Sequence, residues 1–552
     1  VLNLMATEFN LSKVFGTVAA AVPDQEALIW RDRRLTYGAM DARITGVAHY
    51  FASKGLGRHT PRANLAGHEI GQDTVGLYLR NGNEYPEAMI GAYRAGAIAF
   101  NINYMYVEEE LVYLLNDAGA AALVFHSEFA PRVAAILDQV PTIRQLIQVD
   151  DETGTALLPG AVAYESIVET PAPVGGLPEL LGEDAFLLYT GGTTGMPKGV
   201  IWRHHDVYVA AMGGRPFGSP DPFTSYDEIA VAARNANGGI RLLMTAPFMH
   251  GAAQWSTFHM FTGGGRVVLP DNVVSMDAVG WLRVTEREGV MSIPVVGDAM
   301  ARPLIDEIER GGYDLSGLAA INNGGAPISP GVRHRIHEAL PNILILDAVG
   351  SSETGIQMNH YSAAGAEAET AVFNPEPSTT VVDDAHTRAL APGDGGGWLA
   401  RSGLVPLGYL GDADKTARTF PVIDGVRYSV PGDRAELLED GRIRLLGRDA
   451  VTINSGGEKI FAEEVERALS GHPDVADVIV AGRPSERWGS EVIAIVVLRE
   501  GSTATDDDLL AEAARHVARY KLPKAILHRP VIARSPSGKA DYRWAKQQAT
   551  AE

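Results

Sequence analysis

Eleven consecutive residues constrain this chain more than any others: Tyr189-Thr190-Gly191-Gly192-Thr193-Thr194-Gly195-Met196-Pro197-Lys198-Gly199. They follow the apolar run Ala185-Phe186-Leu187-Leu188, which reads as a buried strand. Gly191, Gly192 and Gly195 let the backbone turn tightly and bring N–H groups against an anion. The hydroxyls of Thr190, Thr193 and Thr194 add donors, and Lys198 adds a positive charge. The stretch is predicted to cradle a polyphosphate. The P-loop of nucleotide triphosphatases carries Gly before its Lys and Ser or Thr after it. Pro197 and Gly199 hold those places here, so that reading fails at both flanks. The bland alternative is a Gly/Thr surface loop.

The chain has 552 residues, more than one hydrophobic core normally supports, and at least two domains are expected. It contains no cysteine, which excludes a disulfide framework, a thiolate metal site and a cysteine nucleophile. A formal charge of −21 argues against a nucleic-acid partner, because neutralising phosphates needs clustered Lys and Arg. No stretch approaches the roughly 18 uninterrupted apolar residues of a membrane span, and the first residues lack the basic-then-apolar layout of a signal peptide. The expected location is cytoplasmic, with peripheral membrane contact and a homodimer left open.

Apolar runs alternate with amphipathic stretches over the first third of the chain. Helices are predicted at Leu11–Val22, Met40–Lys54, Glu84–Ala95, Val107–Asn116 and Phe129–Gln139. Strands are predicted at Ala27–Trp30, Leu35–Tyr37, Thr74–Leu79, Ala97–Asn103, Ala121–Phe125 and Leu146–Val149. This alternation implies an α/β fold with a doubly wound parallel sheet. Residues 56–72 are too long for a simple connection, where about two to six residues are usual, and read as an exposed insertion. From about 370 the texture changes to short strands, including a hairpin about Asp440-Gly441, and reads as a small β-rich subdomain. A compact α+β tail follows, with helices predicted at Glu463–Leu469 and Asp507–Tyr520. The predicted division is an N-terminal domain of residues 1–448, with the β-rich part at about 370–448, and a mobile C-terminal domain of residues 449–552.

Further segments carry chemistry. Leu242 to Gly251 ends in His250. Gly324-Gly325-Ala326-Pro327 and Gly350-Ser351-Ser352-Glu353-Thr354-Gly355 both end apolar strands. Asp433 follows Pro431-Gly432, and a carboxylate suits a diol through its several acceptor positions. Ser455-Gly456-Gly457 and Ser537-Gly538-Lys539 lie near the end. A G-x-S-x-G hydrolase elbow is set aside because the serine turn closes on Thr354. His204-His205 and His334/His337 lack a partner cluster for a metal and read as surface histidines.

Taken in order, these segments resemble the adenylate-forming superfamily of acyl- and aryl-CoA synthetases, nonribosomal adenylation domains and luciferases, over essentially the whole chain. The resemblance implies an ATP-dependent ligase that makes acyl-AMP and then a CoA thioester, with ATP, Mg2+, CoA and a carboxylic acid as its small-molecule partners. ATP would be held by Thr190, Gly191, Gly192, Thr193, Thr194, Gly195, Lys198, Gly324, Gly325, Ala326, Pro327, Ser351, Ser352, Asp433, Arg448 and Lys539. Glu353 would hold Mg2+, for which one carboxylate and phosphate oxygens suffice. The acyl group would meet His250, Gly251, Gln254, Val296, Gly297, Gly324 and Gly350, and CoA would meet Ser455, Gly456 and Gly457. Lys539, Thr194, Glu353 and His250 are the implied catalytic set. The sequence departs from the family where Ser352 replaces a usual Thr, where Val349 replaces the aromatic that stacks on adenine, and at the hinge, which falls on Asp449 or Ala450.

Within the superfamily the chain looks like actinobacterial acyl-CoA synthetases acting on fatty acids and on sterol side-chain carboxylates. Small residues at Gly251, Ala252, Ala253, Gly297, Gly324 and Gly325 are expected to leave room for a bulky acyl group. The alternatives are an acyl-AMP ligase that loads a carrier protein, an aryl-CoA ligase, and a binding protein that keeps the fold without the chemistry.

Overall fold

The computed structural model describes residues 7–169, 175–190, 196–216, 219, 221–365, 371–448, 451–455, 458–485, 489–517, 519–534 and 538–551. Its first α/β unit is a five-stranded sheet in the order Ile98–Asn101, Thr74–Tyr78, Ala120–His126, Gln145–Val149, Ala161–Ala163, parallel throughout. Every residue of the first three strands is buried, as unbroken apolar runs covered on both faces require. The order reverses at Thr74–Tyr78, which has its sequence successors on opposite sides. A crevice therefore opens at the carboxyl ends of these strands. The predicted helix Phe129–Gln139 breaks into a 3-10 turn, an α-helix at Ala130–Ile136 and a second 3-10 turn at Leu137–Gln139.

The second sheet has fifteen strands. Its parallel part runs Glu26–Trp30, Arg266–Val268, Arg241–Leu243, Ser292–Val295, Ala320–Gly324, Leu344–Ser351. Leu344–Ser351 then folds back antiparallel onto Gly355–Ser362, and the sheet continues into the strands of the β-rich region. That region is thus an antiparallel extension of the main sheet.

The strand Ala185–Thr190 pairs in neither large sheet. It forms an antiparallel hairpin with Lys198–Arg203, which in turn pairs with Gly408–Tyr409. The described ends of the glycine-rich stretch, Thr190 and Lys198, are therefore paired antiparallel, and Lys198 opens a strand where the lysine of a P-loop is followed by a helix. The predicted exposed insertion is tied to the foot of this hairpin. Arg58 pairs with Asp184 at 2.6 Å, Ala185 N–H donates to Gln72 Oε1 at 2.8 Å, and Gln72 Nε2 donates to the Gly96 carbonyl.

The last hundred residues form a separate five-stranded sheet around the long hairpin Val475–Ser485/Gly489–Leu498, with helices Ala462–Ser470, Asp506–Ala513 and Tyr542–Thr550. Among the described residues, the apolar cores of this part contain nothing that precedes residue 451. The predicted helix Asp507–Tyr520 ends at Ala513, where Arg515 and His516 turn back onto Glu512. No helix of the described residues is long and apolar enough to cross a membrane.

Candidate active site

The carboxyl end of the strand Ala185–Thr190 is fixed by hydrogen bonds from outside its own hairpin. Asn101, at the end of its own strand and buried, accepts from Tyr189 N–H at 2.8 Å and donates to the Tyr189 carbonyl at 2.9 Å. It donates again to the Met249 carbonyl at 2.7 Å. One amide therefore binds the residue before Thr190 to the residue before His250. Tyr189 is held a second time where its hydroxyl donates to Asp117 at 2.7 Å. Thr190 and Lys198 face each other in register across the loop mouth, and Lys198 lies 3.5 Å from Asp412. Gly191, Gly192, Thr193, Thr194 and Gly195 lie outside the described residues.

Glu353 sits in the tight turn between Leu344–Ser351 and Gly355–Ser362. The turn holds its own shape. Ser351 N–H donates to Thr354 Oγ1, Glu353 N–H donates to Ser351 Oγ, and Trp202 Nε1 donates to the Ser352 carbonyl at 2.8 Å. Ser429 Oγ donates to the Glu353 carbonyl at 2.6 Å, and the Tyr409 hydroxyl donates to Glu353 Oε1 at 2.9 Å. A strand-to-strand turn cannot present a nucleophilic serine as a hydrolase elbow does, since that elbow leads into a helix.

Asp433 and Arg448 are direct cross-strand partners, with Arg448 Nε donating to Asp433 Oδ1 at 3.2 Å. Burial raises the Asp433 carboxyl and Arg448 pulls it back. Lys539 arrives from the C-terminal unit. Its Cε lies close enough to Gly325 that a Cβ there would be 3.5 Å away, and Gly538 rests on Val296 and Ala299. Burial lowers the Lys539 ammonium, Arg448 lowers it further, and Glu353 and Asp433 raise it. His250 precedes helix Gly251–Thr262, and its Nε2 is buried without a hydrogen-bond partner among the described residues. Burial, helped by Lys539, pushes its imidazole down to about 4, so it is neutral at pH 7. Lys539, His250, Glu353, Asp433, Arg448 and Gly325 thus share one electrostatic neighbourhood built from both units.

The expected acyl residues divide. Val296 and Gly325 border the Lys539 side chain, and Gly324, where the nearest backbone is Ala348, has room for a Cβ. Gly297 has φ +54°, and a Cβ there would strike Ala326 and the Pro327 carbonyl, so the close approach of two chain segments accounts for its small size. A Cβ at Gly251 would strike Leu188, and one at Gly350 would strike the Gly355 carbonyl. Gln254 is buried and donates to Phe248 O and Tyr85 OH. Asn323 joins Gly297 to the segment Gly324–Pro327, which the sequence reading expects at the adenine. It accepts from Gly297 N–H at 2.8 Å and donates to the Ala326 carbonyl and to Asp347, fixing Gly324 to Pro327 from beneath. Val349 turns its side chain into the apolar cluster of the β-rich strands.

Ser455 ends the strand Thr452–Ser455, paired with Glu458 and Gly489 inside the C-terminal sheet. Gly456, Gly457 and the hinge candidates Asp449 and Ala450 lie outside the described residues. His334 is exposed as expected, whereas His204 and His205 differ from expectation. His204 is fully buried with Nδ1 accepting from Leu11 N–H, and His205 accepts from Phe9 N–H, so both fasten the N-terminal segment. No group of three or more His, Cys, Asp or Glu able to hold a metal occurs among the described residues.

Sequence reasoning missed Asn101, Tyr409, Asn323 and Arg534. Arg534 pairs with Asp477 and donates to the Gly538 carbonyl at 3.2 Å, which fixes the backbone before Lys539. The available signal was a polar residue ending an otherwise apolar strand, as at Asn101 and Asn323.

The comparisons agree with one another. A family described as AMP-binding enzyme matches residues 15–410, and one described as AMP-binding enzyme C-terminal domain matches residues 464–539. The chain is 55% identical over 549 residues to a medium-chain acyl-CoA ligase, Mig, of Mycobacterium avium, covering 98% of each. It is 39% identical to a 3-oxocholest-4-en-26-oate–CoA ligase of Rhodococcus rhodochrous, covering 98% of this chain and 96% of the other. The structure resembles ATP-bound MatB from Rhodopseudomonas palustris with a TM-score of 0.78 at 19% identity, covering 98% and 99%.

Proposed function

The chain belongs to the AMP-binding enzyme family, and from that premise we propose that it is an ATP-dependent acid–CoA ligase working through acyl-AMP. The observation that carries this reading is the position of Lys539, delivered by the C-terminal unit to Gly325 and into the field of Asp433, Arg448 and Glu353. In the first step a carboxylate oxygen of the acid bonds to the α-phosphorus of ATP, and the bond to the pyrophosphate oxygen breaks. Negative charge shifts toward the leaving pyrophosphate, and fixed cations that need not reorganise stabilise it. Lys539 is placed to bridge the carboxylate and the α-phosphate. Asp433 and Arg448 take the ribose, Thr190 and Lys198 the outer phosphates, and the segment Gly324 to Pro327 the adenine. His250, neutral and with Nε2 unpartnered, offers a hydrogen bond to the acid without competing for the phosphates.

Glu353 fits a magnesium site. Tyr409 occupies one of its carboxylate oxygens, and the other accepts no hydrogen bond from the described residues, which leaves the single protein ligand that Mg2+ prefers beside phosphate oxygens and water. Bound there, the ion would neutralise charge on the triphosphate. In the second step the CoA sulfur bonds to the acyl carbonyl carbon and AMP leaves. For this Lys539 must withdraw in favour of the Ser455-Gly456-Gly457 loop, by rotation of the C-terminal unit, residues 449–552, against residues 1–448.

A fatty acid, medium-chain first, is the substrate class favoured by the 55% relative, and a steroid side-chain carboxylate is the second reading, favoured by the 39% relative. The test is acid-dependent ATP–pyrophosphate exchange together with thioester formation over fatty acids of graded length, aryl acids and a steroid acid. Thioester from medium-chain acids at the highest kcat/KM supports the proposal. Acyl-AMP that accumulates and never reaches CoA would replace it with carrier loading.

A further inference from the structure

Lys415 lies on the short helix Ala413–Thr419, which follows the strand Gly408–Tyr409 paired with the phosphate hairpin. Its ammonium stands 4.0 Å above the ring of Tyr409, the tyrosine whose hydroxyl donates to Glu353. That ring has little freedom. Tyr409 is 2% exposed, its ring meets Phe420, and its N–H donates to Thr416 Oγ1 at 2.9 Å. Asp412 connects Lys415 to the other lysine of the site, since its Oδ1 accepts from Lys415 N–H at 2.9 Å and its Oδ2 faces Lys198 Nζ at 3.5 Å. Two lysines thus stand near one acidic pair: Lys198 through its ammonium on Asp412, and Lys415 through its ammonium on the tyrosine that holds Glu353.

Their charges are unequally matched. Lys198 has Asp412 as its ion-pair partner, whereas the Lys415 ammonium lies within ion-pair distance of no carboxylate among the described residues. This happens in a chain with 68 acidic residues against 47 basic ones, where a lysine without a carboxylate has no shortage of candidates. Burial lowers the Lys415 ammonium and Lys198 lowers it further, while Glu353 and Asp412 raise it, so it lies within the field of both the magnesium carboxylate and the phosphate-loop lysine. A half-buried ammonium that rests on an aromatic face, with no carboxylate among the described residues within ion-pair distance, is suited to receive an anion.

We propose that Lys415 is a second triphosphate-binding cation, which acts with Lys198 on the β and γ phosphates of ATP and then on the departing pyrophosphate. The inference rests on the adenylating reading above and adds a residue to it. The competing role is structural, with Lys415 merely steadying Tyr409 and through it Glu353. Lys415→Met keeps the packing of the stem on the ring and removes the charge, and Lys415→Arg keeps the charge and the aromatic contact.

The probes are magnesium pyrophosphate and ATP, titrated calorimetrically into the full-length protein without acid, followed by steady-state exchange. Lys415→Met is expected to weaken pyrophosphate binding and raise KM for ATP by roughly tenfold or more, the usual loss of one charged contact. KM for the acid and the rate of thioester formation from preformed acyl-AMP stay unchanged, and Lys415→Arg recovers most of the affinity. Pyrophosphate and ATP affinities within twofold of wild type in Lys415→Met would overturn the proposal. So would equal losses in Lys415→Met and Lys415→Arg, which would assign the effect to Tyr409. A wild-type protein without acid-dependent exchange would instead refute the ligase reading, while the direct titration would still decide the role of Lys415.

Discussion

Lys539 is a cation held where a cation is costly. Burial and Arg448 lower its pKa, so in the free enzyme it gives up its proton below the ordinary lysine value, whereas the first step proposed above needs the ammonium. The pH profile of kcat/KM, which reports the free enzyme, is therefore expected to fall on the alkaline side earlier than an exposed lysine would allow. In Lys539→Arg, whose guanidinium stays charged, that limb should disappear even if the rate is lower. Lys539→Ala should reduce acid-dependent pyrophosphate exchange by roughly a hundred- to a thousandfold, the usual cost of one fixed donor at developing charge. Thioester formation from preformed acyl-AMP should be spared. Equal slowing of both steps would show that Lys539 is not exchanged between half-reactions. His250, at about 4, contributes no inflection near pH 6.5, and an inflection there that vanished in His250→Gln would contradict its buried, neutral state.

Two strand ends decide the geometry between elements. Asn101 makes three hydrogen bonds that join the strand Ala185–Thr190 to the segment ending in His250. Asn101→Asp can still accept from Tyr189 N–H but loses both donors to carbonyls. If Asn101 couples the two sites, ATP and acid should each tighten the binding of the other in the wild type, and the variant should lower kcat for adenylation and weaken that enhancement, measured by titrating each ligand in the presence of the other. Binding of each ligand alone should change less, and if the mutual enhancement survives in a folded variant, Asn101 supports only the fold. Gly297 behaves oppositely to a pocket glycine. With φ +54° and Ala326 and Pro327 against it, Gly297→Leu should lower activity on short and long acids alike, because it displaces the adenine loop rather than the acyl chain. Loss confined to the longest acid would restore Gly297 to the acyl pocket.

Across the whole molecule, ionisable groups shifted by burial titrate in opposite directions. Glu463 accepts from Arg448 N–H, and behind it Glu466 accepts from Val480 N–H and the Tyr542 hydroxyl and is pushed up to about 8 by burial and by Glu463. A carboxyl raised in the folded state holds a proton that the unfolded chain has released. Its stabilising contribution is full below the unfolded value of 4.5 and is lost as pH rises toward and through about 8. Glu466→Gln should therefore gain Tm relative to wild type as pH increases from 5 to 8. His126 and His250, both lowered to about 4, have the opposite sign, with stability complete above 6.5 and lost as pH falls through about 4. Wild-type stability is expected to peak between these limits, and a Tm difference between Glu466→Gln and wild type that did not vary with pH would remove Glu466 from the balance.

The sequence alone determined what is local. Continuous apolar runs at Thr74–Tyr78 and Ala120–His126 specify doubly buried strands, and the order of short motifs from Thr190 to Lys539 identifies the family, since backbone phosphate contacts and a diol-binding carboxylate need particular residues at particular spacings. Periodicity carries no record of strand partners. The chain gave no sign that Ala185–Thr190 pairs antiparallel outside both large sheets, or that the β-rich strands extend the sheet of Leu344–Ser351. Nor could it separate a glycine with open space beside it from one that leaves space for its own backbone, as Gly324 and Gly297 differ in backbone conformation and in what stands opposite them. The same holds for buried amides. Asn101 and Asn323 look like ordinary strand-end residues until folding brings Met249 and Gly297 within hydrogen-bond reach. Partners far apart in the chain, such as Asn101 and Met249, 148 residues apart, or Tyr409 and Glu353, 56 residues apart, are fixed by chain crossings that only the assembled tertiary structure decides.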